Sequence, residues 1–283
     1  CGDTVPAEIQ AGFSNLSGHY VSPTWINDEN GQAVQVQTTD IRARTYRGTS
    51  NVDSAIDWIA SRPKGTPWSA TVTFASAHTP VMQPPQALLS QTLPPEAVSR
   101  LLCAAPAGAT DAVQNQAAIA QRELTTLMIE AIDTEVSRLL VATGVASINE
   151  DQSVRLNADS NTMVVILGDN GTLGYSVKLP FDASRAKGTA YQTGVWVPLI
   201  VAGPMVNSPN RTVAHMVNIA DLYQLFAEIA GIDDIHALVP RSLDSVPMLP
   251  YLTTPDAGGQ RAYNFTQVGN NQPIGGMINQ PCS

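Results

Sequence analysis

The stretch Thr162-Met163-Val164-Val165-Ile166-Leu167 runs directly into Gly168-Asp169-Asn170-Gly171. Its apolar residues are continuous, not alternating, which is typical of a strand covered on both faces. An amphipathic helix comes before it, because apolar residues from Leu124 to Leu140 recur at helical spacing and Gly144 stands where a helix should end. A helix leading into a buried strand is half of a βαβ unit. The sequence therefore predicts an α/β fold with a mostly parallel sheet flanked by helices.

Weaker patterns predict the elements on either side. Residues 1 to 50 are rich in Gly, Ser, Thr and Asn, which indicates loops and short strands. Periodicity and chain breakers predict a helix over Val52 to Ala60, a strand over Ser69 to Ala75, a strand over Trp196 to Ala202 and a helix from Ile219 to Gly231. At the start of the last helix, Asp221 is interpreted as an N-cap.

Composition and charge restrict the class of function. The chain has 283 residues, 43% hydrophobic and 14% charged, as expected for an ordered globular protein. Its net charge of -9 argues against a general binder of nucleic acid or anionic membranes. It leaves room for an anionic substrate, because a single site can be locally positive. No apolar run approaches the roughly 18 residues that a membrane span needs.

The tetrapeptide after the predicted strand is a candidate cation site. Side chains at the carboxyl end of a strand in an open α/β sheet lie where ligands bind. Asp169 and Asn170 offer a carboxylate and an amide oxygen, which suit Ca²⁺ or Mg²⁺. The alternative at this point is an ordinary turn formed by Asn and Gly residues.

Several blocks occur in a fixed order along the chain. Three of these blocks lie close together: Gly168 to Gly171, Lys187-Gly188-Thr189-Ala190-Tyr191, and Gly194 to Pro204 with the core Val197-Pro198-Leu199-Ile200-Val201. The others are Asn51 to Ile59, Ala77-His78-Thr79-Pro80, Met128 to Val136 and Ala220 to Ile232. In this order and spacing the chain resembles the sulfatases of the alkaline phosphatase superfamily, over roughly residues 50 to 250.

The resemblance implies roles for four residues. Asp169 and Asn170 would be metal ligands for Ca²⁺, with Mg²⁺ as the alternative. Lys187 would bind the sulfate and steady the leaving oxygen, and His78 would hydrogen-bond a sulfate oxygen or protonate the leaving group. A cation and a lysine neutralise charge on a transferring group, and an imidazole is the commonest general acid in proteins.

Two features of the family are missing from the sequence. The family's nucleophile is a formylglycine made within a Cys-or-Ser-x-Pro-x-Arg motif. None of Cys1, Cys103 and Cys282 lies in such a motif, and Ser61-Arg62-Pro63-Lys64-Gly65 has Gly where Arg should stand. The paired aspartates of the family's first strand are also absent. We therefore expect a partial sulfatase-like catalytic domain over residues 1–250, an irregular tail over 251–283, and no turnover without the N-terminal part of the domain.

The resemblance implies that the substrate is a small-molecule or glycan sulfate ester. Two alternatives remain open: a phosphate or phosphonate monoester hydrolase of the same superfamily, and a non-catalytic binding domain derived from the sulfatase scaffold. Superfamily members acting on phosphate often carry Asp-His-Gly, so Asn170 favours sulfate. Low lysine content and many polar residues indicate a periplasmic or secreted protein. Asn170-Gly171-Thr172 is a glycosylation sequon that would conflict with metal binding, which favours a bacterial source.

Overall fold

The structure is a computed structural model that describes residues 25–29, 32–36, 39–78, 81–92, 111–178 and 180–267. These residues form two compact units. The first holds the described residues up to Asn157 together with Thr172–Ser184, and the second holds Ala158–Gly171 and the described residues from Arg185 onward. The three cysteines lie outside the described residues. No helix in the described part is long and apolar enough to cross a bilayer.

The first unit is built on two helices. Its elements are β1 (Trp25–Glu29), β2 (Gln32–Val36), α1 (Arg47–Ala60), α2 (Asp111–Ala142), β3 (Ala146–Ile148) and β4 (Val154–Leu156). The strands form two antiparallel pairs, β1 with β2 and β3 with β4. Helix α2 is the amphipathic helix that the sequence predicts. It ends just before Gly144, whose φ of +74° suits glycine, so that prediction is confirmed.

Helices α1 and α2 are joined through a buried carboxylate. Glu135 on α2 is only 1% exposed, and it accepts a hydrogen bond from the Thr49 hydroxyl (2.5 Å) on α1. Arg138 pairs with Glu135 at 2.7 Å and with Asp53 of α1 at 2.7 Å. A buried carboxylate is tolerated only when it is paired and hydrogen-bonded, and these contacts meet that condition. The arrangement fixes the two helices side by side.

The second unit contains the strand from which the fold was predicted. Its elements are β5 (Val164–Leu167), α3 (Gln192–Val195), β6 (Leu199–Ala202), α4 (Asp221–Ile229), α5 (Ile235–Leu238) and α6 (Leu249–Thr253). Strands β5 and β6 pair antiparallel, from Val164 opposite Ala202 to Leu167 opposite Leu199. All three strand pairs in the described part are therefore antiparallel. The mixture of helices and strands agrees with the predicted class, but the mostly parallel sheet is not confirmed.

The two strands bury one face only. Val165, Leu167, Leu199 and Val201 pack against a core of Leu222, Leu225, Met248, Tyr251 and Leu252. The cross-strand pair Ile166 and Ile200 points the other way and is 41% and 58% exposed. The apolar run predicted that β5 is covered on both faces, and this prediction is therefore wrong for the described structure. The predicted strand over Ser69 to Ala75 is wrong too, because those residues have no regular secondary structure.

The interpretation of Asp221 as an N-cap is wrong. Asp221 is the first residue of α4, and its carboxylate makes no capping bond to that helix. Instead it accepts hydrogen bonds from the backbone amides of Asn218 (2.8 Å) and Val246 (2.9 Å) and forms a two-nitrogen ion pair with Arg261. The side chain is 2% exposed. It ties the start of α4 to two later segments.

Helix α6 lies across residue 250, and the boundary predicted there remains a prediction.

Replacing Asp221 by Asn should destabilise the second unit by about 3 kcal/mol, because the change leaves the largely buried Arg261 without its charged partner. Urea unfolding followed by circular dichroism measures the loss. Burial alone raises the pKa of the Asp221 carboxyl, but the hydrogen bonds from Arg261, Asn218 and Val246 outweigh it and leave the pKa below its ordinary value. The Asp221 carboxylate therefore contributes its full stabilisation of the folded state above the unfolded pKa of about 3.9. This contribution is lost as pH falls through the lower folded pKa.

Asp233→Asn is the matched control, since Asp233 is exposed and just beyond the same helix. It should unfold at the urea concentration of the parent chain and keep the parent's acid sensitivity. Equal stability of the Asp221 and Asp233 variants at neutral pH would contradict the role given to the ion pair.

Candidate functional site

The candidate cation ligands follow β5 immediately. The backbone amide of Gly168 donates to the Pro198 carbonyl at 3.1 Å, which extends the pairing of β5 with β6 by one residue. Asp169 and Asn170 come next and are exposed. Within the described part of the chain, neither side chain has a hydrogen bond or an ion pair. Two oxygen donors thus stand at the end of a paired strand, free to bind a ligand.

A close contact between two glycines holds this turn in place. Gly171 and Gly194 are both buried, and the Gly171 amide donates to the Gly194 carbonyl at 3.0 Å. A Cβ added at Gly171 would lie 2.3 Å from the Thr193 carbonyl oxygen, and one at Gly194 would lie 2.3 Å from that of Thr189. Such distances exclude any side chain, so the two backbones can meet only because both residues are glycine.

Gly194 also packs against the loop that carries Lys187, since its backbone lies close to the Ala186 and Thr189 carbonyls. Thr189 folds this loop into a turn, since its amide donates to the Ala186 carbonyl at 3.2 Å and its hydroxyl to the same oxygen at 2.8 Å. Gly188 has φ of +90°, a conformation that favours glycine. Lys187 is half-buried, and its ammonium has no ion pair with any described residue. The neighbouring Arg185 is instead stacked over the Tyr191 ring at 4.6 Å.

The structure therefore brings three of the four predicted residues into one folded unit. Asp169 and Asn170 lie on one segment and Lys187 on another, and the Gly171–Gly194 contact joins the two segments. Their predicted roles in binding remain predictions.

His78 belongs to the first unit. It is exposed, and its backbone amide donates to the Ala75 carbonyl at 2.9 Å. Thr79 and Pro80, which complete the quoted block, lie outside the described residues. The role of His78 as a sulfate-binding group or proton donor also remains a prediction.

Asp169 and Asn170 fit a calcium ion in kind but not in number. Both supply hard oxygens, and Ca²⁺ takes about six to eight of them. Among the described residues, no group of three or more His, Cys, Asp or Glu side chains is placed to hold a metal. The described residues thus supply two oxygen donors at this position, and metal binding by them remains a prediction.

Sequence reasoning did not identify the residues that shape the site. Gly194 and Thr189 lay within quoted blocks, but only the contact distances show that they hold the two loops together. The sequence contains only the positions of Gly171, Thr189 and Gly194. Those positions indicate a contact only after the two loops are seen to meet. Arg261 carried no local signal, because its partner Asp221 lies 40 residues away.

Two comparisons with known proteins bear on this arrangement. The chain is 37% identical over 105 residues to a protein named sulfatase from Formosa agariphila, covering 36% of this chain and 18% of that protein. It is 27% identical over 92 residues to arylsulfatase K from Xenopus laevis, covering 32% of this chain and 15% of that protein. The chain is related to the sulfatase family. No family profile matches it.

The relationship confirms the family that the ordered blocks indicated. The matched regions span less than a fifth of either sulfatase, so they support the relationship and leave the activity of a whole enzyme open. The assignment to the C-terminal portion of a catalytic domain remains a prediction.

Replacing Gly171 by Ala should destabilise the second unit by at least about 1 kcal/mol, since the added methyl group meets backbone atoms that cannot move aside cheaply. Gly258→Ala is the matched control, because a Cβ there has no neighbour within 4 Å. Urea unfolding of both variants measures the difference. Parent-like stability of Gly171→Ala would contradict the close approach of the two loops.

Proposed function

We propose that this chain is the downstream part of a sulfate-ester hydrolase with a sulfatase-like α/β fold and a mostly parallel sheet. It would act on a small-molecule or glycan sulfate ester in the periplasm or outside the cell. One observation carries the proposal: the Gly171–Gly194 contact holds the loop of Asp169 and Asn170 against the loop of Lys187, and none of these three side chains has a partner among the described residues. The relationship to sulfatases supports the choice of sulfate.

In this proposal Asp169 and Asn170 bind a divalent cation. Their oxygens match Ca²⁺, and the flexible shell of that ion accepts ligands from several segments. When bound, the cation supplies positive charge next to the sulfate oxygens. In this proposal the remaining ligands come from the N-terminal part of the same domain.

Lys187 would bind the sulfate group. The residue is half-buried, while its ammonium is not paired with any carboxylate among the described residues. A positive charge held near the ester also stabilises the leaving oxygen as its S–O bond breaks. The stem emerges from a turn fixed by Thr189, which limits how far the ammonium can move.

His78 would donate a proton to the leaving oxygen or a hydrogen bond to a sulfate oxygen. Its position in a turn exposed to solvent is compatible with contact to a ligand. Because it belongs to the other unit, its assignment depends on the resemblance of Ala77-His78-Thr79-Pro80 to the family's block.

The nucleophile is not assigned to this chain. A formylglycine requires the Cys-or-Ser-x-Pro-x-Arg motif, and the printed sequence does not contain it. The residues present thus do not fit that group, and we derive no step through it. In our proposal this chain binds the cation and the sulfate, and the attacking group lies in the N-terminal part of the domain.

Calcium titration by calorimetry tests the cation site. The chain should bind Ca²⁺ weakly, with a Kd of about 1 mM, since only part of the shell is present. Asp169→Ala should weaken binding by at least about tenfold through loss of the single carboxylate. Asp256→Ala, which removes another exposed carboxylate of the same unit, should bind as the parent does. Equal affinities for the Asp169 variant and the parent would refute the assignment.

A second test concerns catalysis by the chain alone. With 4-nitrophenyl sulfate and saturating calcium, the purified chain should release nitrophenol no faster than buffer, because it lacks the nucleophile motif. Turnover by the parent chain that is lost in a Lys187→Ala variant would contradict the proposal that the nucleophile lies outside this chain. It would mean that this chain supplies its own attacking group.

A further inference from the structure

A surface pocket in the first unit has the composition of a ligand site that the proposed hydrolase does not use. It lies where the C-terminal end of α1 meets the C-terminal end of α2. Its principal lining side chains are Ile56, Ile59, Arg62, Lys64, Trp68 and Thr143. All of them belong to the first unit, whereas Asp169, Asn170 and Lys187 belong to the second.

The Arg62 guanidinium is held in one orientation at this pocket. Its Nε donates to the Trp58 carbonyl at 3.2 Å, and its Nη2 donates to the Ser61 hydroxyl at 2.8 Å. Its Cζ also lies 4.5 Å from the centroid of the Trp58 ring, within the range of a cation–π contact. A guanidinium fixed by three contacts loses little freedom on binding an anion, so it is prepared for such a ligand.

Lys64 adds a second positive charge. It occupies a tight turn closed by a hydrogen bond from the Thr66 amide to the Pro63 carbonyl at 3.0 Å, with Gly65 at φ of +82°. No Asp or Glu lines the pocket, although the whole chain has a net charge of -9. The pocket is therefore locally basic on an acidic molecule, which favours an anionic ligand.

The rest of the lining is apolar and aromatic. Ile56 and Ile59 form part of the wall, and Trp68 is 36% exposed. The negative face of an indole attracts the weakly positive C–H groups of a sugar ring, which gives a saccharide one flat contact. Sulfate or carboxylate groups on the same ring can accept charge-assisted hydrogen bonds from guanidinium and ammonium groups.

We propose that this pocket binds an anionic saccharide, with Trp68 against the sugar ring and Arg62 and Lys64 at its acidic group. A free inorganic anion would use only the two cations, and a neutral sugar would use only the indole. The combination of a ring contact with two cations selects a ligand that has both features. The pocket shares no residue with the proposed catalytic set, since His78 of the same unit does not line it.

The test is an NMR titration of the whole ¹⁵N-labelled chain that follows the Trp68 indole N–H. N-acetylglucosamine 6-sulfate should shift this resonance saturably. N-acetylglucosamine, which lacks the charge, should bind about fivefold more weakly, the upper effect of one exposed charge pair, and sodium sulfate, which lacks the ring, should also bind more weakly than the sulfated sugar. Glucuronic acid, as a carboxylated sugar, should shift the same resonance.

Variants separate the pocket from other causes of binding. Arg62→Gln should weaken binding of the sulfated sugar by about fivefold. Lys178→Gln, an exposed lysine of the same unit that lies outside the lining, should not. Lys187→Ala should leave the Trp68 shift unchanged, which distinguishes this site from the proposed catalytic one. Equal affinity for the neutral and sulfated sugars, or an Arg62 variant that binds like the parent, would overturn the proposal.

Discussion

The contact between Gly171 and Gly194 is the constraint on which the candidate site depends. Two backbones approach so closely that an added methyl group at either position would overlap a carbonyl oxygen. Through this contact the turn after β5 is hydrogen-bonded to α3, in which Gly194 lies. The Asp169 turn and the Lys187 loop are therefore parts of one arrangement. The candidate cation ligands and the candidate sulfate-binding lysine are held in one unit because glycine allows their loops to pack.

The remainder of the second unit supports that arrangement. Strands β5 and β6 fix the positions at which the two loops begin and end, and one face of the pair rests on the core formed by α4 and α6. The buried Asp221 carboxylate then holds the start of α4 to Val246 and Arg261. Burial of apolar side chains supplies most of the stability, while the ion pair fixes which segments meet. A rigid base of this kind is what a site built on loops requires.

Local patterns in the sequence predicted the helices well and the pairing of the strands poorly. The end of α2 near Gly144 and the end of α4 near Gly231 follow from short-range periodicity and glycine conformation, which depend on neighbouring residues. The direction of β5 relative to β6 depends on residues more than 30 positions apart, and an apolar run is compatible with either direction. In the same way, the ordered blocks pointed to Asp169 and Lys187 as candidate site residues, but only the folded structure shows that both lie in one unit and that Gly194 contacts both of their segments. Asp221 shows the limit most clearly: a carboxylate at a helix start usually caps that helix, whereas here its partner is the distant Arg261.

The central claim is that Asp169, Asn170 and Lys187 act as one site. The most direct measurement is a ¹H–¹⁵N NMR titration of the labelled chain, first with calcium chloride and then with sodium sulfate at saturating calcium. The account predicts that calcium shifts the amides of Asn170 and Gly171, and that sulfate then shifts those of Lys187 to Thr189. Calcium shifts confined to other segments, or sulfate shifts that are the same with and without calcium, would contradict it.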